Sequence, residues 1–131
     1  MKRTYIIFLL FFSIQILQAQ EEVASSAETF FETKDIDVQP EFPGGIDNCY
    51  TFFYKKFKKP EIPNLIGKIF VSFIVEIDGT LTDIRTLKDP GFGTGAEAEK
   101  VMQQSPKWIP GRKEGKKVRV NYILPIGIHT D

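Results

Sequence analysis

Cys49 is the one thiol of the chain and His129 its one imidazole. A single Cys and a single His cannot assemble a Cys/His metal site. A nucleophile–base pair would have to use His129 as base, at the end of the chain, where a rigid base is hard to hold. Asp78 and Asp83 are two carboxylates near one hairpin end. Acid–base work needs both in one pocket, whereas their spacing reads as a solvated turn and strand face. Gly91-Phe92-Gly93-Thr94-Gly95 precedes a helix, where backbone amides can cradle anions, but it lacks the spacing and lysine of a Walker motif. It reads as a loop with a helix cap. No catalytic residue, metal or cofactor is therefore expected. The Lys55, Lys56, Lys58 and Lys59 cluster reads as a solvated helix end. What remains is the backbone chemistry of a strand. Val118, Arg119, Val120, Asn121, Tyr122, Ile123 and Leu124 alternate, with a mixed outer face at Arg119, Asn121 and Ile123. Pro125, which has no N–H to give a ladder, marks an edge, and a free edge can take up an extended peptide.

The elements that must hold this strand follow from hydrophobic spacing. Asp35–Gln39 reads as a short strand and Pro40–Gly45 as a turn. Ile46–Phe57 reads as a helix, with apolar positions 46, 49, 50, 53 and 57 on one face and Cys49 buried among them. Gly67–Ile77 is the clearest strand: Ile69, Val71, Phe73, Val75 and Ile77 share a face. Asp78-Gly79 predicts a two-residue type I′ hairpin. The returning strand, Thr80–Lys88, has apolar residues three apart at Leu81, Ile84 and Leu87, which requires a bulge. Thr94 and Glu97 match a capping box for a second helix running to about Ser105. Trp108 is expected as a core anchor. Val118–Ile126 is the last strand. The fold class is α+β: a three-stranded antiparallel sheet packed on two helices, with a short extra N-terminal strand.

The chain has 131 residues, room for one small domain. Apolar residues make up 42% and charged residues 26%, which supports a packed core rather than a disordered chain. Basic and acidic residues balance at 17 each. That argues against nucleic acid as a partner. Lys2-Arg3, an apolar run to Leu17 and then Ala19-Gln20 read as a secretory signal over 1–19, with an uncleaved membrane anchor as the alternative. Residues 20–35 are polar and read as a flexible leader, leaving 36–131 as the domain. Either reading of 1–19 places the product in the periplasm or cell envelope. A lone Cys fits that setting only if it is buried.

Gly67-Lys68-Ile69-Phe70-Val71-Ser72-Phe73-Ile74-Val75, followed by Asp78-Gly79-Thr80-Leu81, resembles the TonB C-terminal domain family. Ile84 with Leu87 resembles that family's second strand. Lys107-Trp108-Ile109-Pro110-Gly111 resembles its Trp-x-Pro segment, and Lys117–Val120 with Leu124-Pro125-Ile126 its last strand. Val38–Gly45 resembles the leader found before many such domains. The resemblance covers about residues 36–128. It implies a short TonB-like energy transducer that pairs its last strand, Val118–Leu124, with the TonB box of an outer-membrane receptor. Gly67, Trp108 and Pro110 would be structural, and Asp78 and Gly79 would form the turn. An anchored chain would also meet inner-membrane, proton-driven motor proteins. The sequence has no Pro-rich spacer, and 20–35 reaches about 56 Å at most, so peptide binding is a firmer expectation than energy transduction. A homodimer, or an envelope structural module without receptor coupling, is the alternative.

Overall fold

The computed structural model describes residues 29–131. The targeting segment expected at 1–19 and most of the leader lie outside the described residues. Strands β1 (Phe31–Glu32), β2 (Ile66–Val75), β3 (Leu81–Lys88), β4 (Gly111–Lys113), β5 (Lys116–Val118) and β6 (Val120–His129) join helices α1 (Ile46–Lys56) and α2 (Thr94–Met102). The main sheet has the order β1-β6-β2-β3, and β4-β5 is a separate hairpin. The expected α+β architecture is present, with both helices over one face of an antiparallel β6-β2-β3 core.

The alternation in β2 is carried into the packing. Ile69, Val71, Phe73 and Val75 are buried, and face Cys49 and Phe53 of α1 and Ala98, Val101 and Met102 of α2 in one cluster. Each such side chain contributes about 1.5–3 kcal/mol by leaving water. Trp108, only 3% exposed, joins Phe73, Phe42 and Tyr122 edge-on and donates its indole N–H to Ser105 Oγ at 2.9 Å. α1 ends where Phe57 turns extended ahead of Pro60.

Several local expectations need correction. The extra N-terminal strand exists, but at Phe31–Glu32, inside the expected leader. Asp35–Gln39 makes only a bridge from Val38 to Arg112. The hairpin is not type I′. Gly79 N–H bonds Glu76 O and Glu76 N–H bonds Thr80 O, and only Gly79 takes positive φ (89°). This is a three-residue loop whose left-handed position is the glycine. The capping box does not form: Gly93 is the N-cap, buried Thr94 donates back to Gly91 O at 2.7 Å, and Glu97 Oε1 accepts from Lys58 N–H instead. β3 carries two register shifts, leaving one extra residue at Leu87 and another around Asp83, whose φ is 50°. These bulges explain the three-residue apolar spacing. Leu81 and Ile84 both reach the core, while Leu87 is itself the extra residue and stays exposed.

Gly79 ties the hairpin to the Trp108 segment. Its carbonyl accepts the Trp108 N–H at 2.8 Å, and a Cβ there would overlap the Trp108 carbonyl oxygen. Gly79→Ala should therefore cost about 2–3 kcal/mol. The expected result is a melting temperature lower by roughly 10–20 °C, measured by far-UV circular dichroism. A melt within a few degrees of the parent would contradict this role.

Candidate functional site

β6 pairs with β2 over ten consecutive residues, Ile66↔His129 to Val75↔Val120, with no bulge. In an antiparallel ladder, alternate residues aim their N–H and C=O at one neighbour or the other. Three contacts identify the outward set in β6 and the residue just before it. Arg119 O accepts Phe31 N–H at 2.8 Å, Pro125 O accepts the Tyr50 hydroxyl at 2.7 Å, and Gly127 O accepts the Tyr54 hydroxyl at 2.7 Å. All three acceptors are odd-numbered. Asn121 and Ile123 therefore also point their backbone groups away from β2. Pro125 fits because it lacks an N–H only on the side where no ladder runs.

The predicted contact strand, Val118–Leu124, is not one element. Val118 closes β5 opposite Gly111, and Arg119 separates it from β6, which begins at Val120. Val120 and Leu124 are buried and face the core. Tyr122 lies half-buried on Phe73 with ring centroids 5.6 Å apart, and burial raises its hydroxyl pKa. Asn121 Oδ1 accepts from Ser72 Oγ at 2.9 Å. Ile123 is 47% exposed. A partner strand would meet the outward backbone of Arg119, Asn121 and Ile123 and the exposed side chain of Ile123.

Arg119 is not a loose cation. Its Nε donates to Glu76 Oε1 at 2.5 Å, and Glu76 also accepts from Thr82 Oγ1 at 2.7 Å. The Arg119 hydrogen bond holds the Glu76 carboxyl below the usual glutamate range, against the opposing effect of burial. Asp78 and Asp83 do not form a pair. Asp78 accepts from Thr80 N–H and Oγ1, which lowers its pKa, while Asp83 bonds Arg85. Burial pushes the Cys49 thiol up to about 11. Gly67 packs under the Pro90 ring, and Pro110 follows Ile109, which bridges Glu41. Among the described residues, no group of His, Cys, Asp and Glu is clustered closely enough to hold a metal ion. The chemistry this edge offers is main-chain hydrogen bonding.

The features that sequence reasoning missed are the covers on this edge. The Tyr50 and Tyr54 rings stack at 6.2 Å. A four-residue helical step rises about 6 Å, close to the roughly 6.7 Å between alternate strand residues. Two tyrosines four apart on α1 can therefore reach carbonyls two apart on β6. Burial raises the pKa of Tyr50, which keeps its hydroxyl a donor. At the other end, β1 lies parallel to β6 with Phe31↔Val120 and Glu32↔Asn121 in register. The tyrosine spacing was a legible signal. The two-residue strand was not.

Residues 63–127, about half of the chain, match the family model for the Gram-negative bacterial TonB protein C-terminal. The match spans β2 to most of β6, and leaves β1 and α1 outside it. No curated protein and no solved structure matches the chain.

Because its pKa is lowered in the folded state, Glu76 stabilises the fold above the ordinary glutamate range. That contribution is lost as pH falls through the lowered value. Glu76→Gln should lower stability at pH 7. The gap between variant and parent should be full above the ordinary glutamate range and close as pH falls below it. Urea titrations across this range check it, and a gap that does not change with pH would contradict the pairing.

Proposed function

From the premise that residues 63–127 belong to the TonB C-terminal family, we propose that this chain binds a receptor segment by strand addition to the outer edge of β6. The family acts in TonB-dependent transport at the cell envelope. The finer reading is that the segment is the TonB box of an outer-membrane receptor. One observation carries it. Beyond Asn121, no strand among the described residues pairs with the outer side of β6, although its inner side is in perfect register with β2. The opposite edge of the sheet is a poorer acceptor, because β3 is bent by two bulges and bears Asp83, Arg85 and Lys88. Main-chain bonds supply the affinity in such a contact, and the exposed Ile123 side chain supplies part of the selection.

Transport energy would reach a receptor through this chain only if residues 1–19 stay in the inner membrane. No helix among the described residues is long and apolar enough to cross a membrane. The proposed arrangement is a chain cleaved after Ala19, acting as an envelope binding module. The intact mass from the soluble envelope fraction of the host should then begin at Gln20. A full-length, membrane-bound mass would make the motor-coupled transducer the correct reading.

Ile123→Pro removes an outward N–H in the middle of the open stretch, as Pro125 already does two residues later. A synthetic receptor TonB-box peptide should bind this variant at least tenfold more weakly by calorimetry. Ile123→Ala, which keeps the N–H, should stay within about threefold of the parent. Unchanged binding by a folded proline variant would sink strand addition at this edge. A shift to dimers without peptide binding would favour the structural module.

A further inference from the structure

The edge proposed to take up a partner is already partly occupied by the chain itself. Phe31 donates its N–H to Arg119 O, and Phe31 and Glu32 lie parallel to Val120 and Asn121. Strand β1 is only two residues long and passes at once into a 3-10 turn, Thr33–Asp35. The Phe31 ring lies under Lys113 Nζ at 4.7 Å from its centroid, and Glu32 Oε2 accepts a long bond of 3.4 Å from Asn121 Nδ2. Gln39 Nε2 secures the turn by donating to Thr33 O at 2.6 Å. Ahead of the strand, Glu21, Glu22 and Glu28 make the leader acidic, while Arg112, Lys113, Lys116 and Lys117 make the adjacent β4-β5 hairpin basic.

We infer that the segment around Phe31–Glu32 is a built-in competitor for the β6 edge, which a partner strand must displace before it can pair along Arg119–Ile123. The inference rests on strand addition as the function and adds its regulation. Three observations support it. The segment uses the same outward backbone groups, at Arg119 and Asn121, that an incoming strand would need. The pairing is two residues long and neither Phe31 nor Glu32 is buried, so it can open without disturbing the core. It also lies outside residues 63–127, the stretch that matches the family model. A segment tethered beside its site acts at an effective concentration of order millimolar. It therefore lowers the apparent affinity of any competitor by the fraction of time the edge is open.

The test uses the full chain and its Phe31→Pro variant, which cannot donate to Arg119 O. Both are titrated with a synthetic peptide of residues 26–35, followed by amide shifts at Arg119–Ile123. The variant should bind this peptide with an apparent Kd at least tenfold below that of the parent. In the absence of peptide, its Asn121 amide should exchange with solvent at least tenfold faster. Equal binding by the two chains, or no shift in either, overturns the inference. This outcome is independent of receptor recognition. If the leader peptide binds the variant but a TonB-box peptide never binds, then the receptor reading fails and the competitor stands. If the box peptide binds parent and variant equally, then the competitor fails and the receptor reading stands.

Discussion

The pairing of β2 with β6 is the constraint on which the rest of the molecule depends. A side-chain period of two means that a slip of one residue would turn Val120, Leu124, Ile126 and Ile128 out of the core. The run of buried residues in β2, on both faces from Val71 to Val75, makes that slip costly, so the register is set by burial. The same register decides which backbone groups of β6 look outward, although nothing on the outer side takes part in setting it. The hydrophobic core thus determines the polar character of an edge that it never touches.

A sheet with two edges must deal with both. Here they are handled differently. β3 is distorted within the strand, with two extra residues that twist it and spoil its ladder. β6 stays straight and is covered from outside, by two hydroxyl donors from α1 at one end and a two-residue strand at the other. Distortion is permanent, whereas a cover can be removed. The contrast separates an edge that is closed for good from one whose β1 end can open without unfolding.

Hydrophobic periodicity carried most of the architecture. β2, both helices and the antiparallel hairpin follow from spacing, because each buries one face against the same core. Trp108 and Cys49 were legible for the same reason. Turn chemistry was less so. Asp78-Gly79 signals a tight turn, but whether one or both residues take positive φ is decided by the approach of the Trp108 backbone, a contact 29 residues away. The capping box at Thr94 lost to burial of its hydroxyl beside Gly91. At the edge, Pro125 and the alternation of β6 pointed to the right strand, but Val118 belongs to the preceding hairpin. β1 has no internal pattern to read, since a two-residue strand is defined wholly by what it lies beside.

Cys49 lies in the first turn of α1, with none of its surface open to solvent. With its pKa near 11, about one molecule in ten thousand would be thiolate at neutral pH even if the sulfur were reachable. The thiol is therefore silent while α1 is docked, and becomes reactive only when the helix leaves the sheet. The same helix carries Tyr50 and Tyr54, so one detachment uncovers both the sulfur and the Pro125 and Gly127 carbonyls. Cys49 is thus a natural clock for helix opening: the pace at which it alkylates reports how often that end of the edge lies bare.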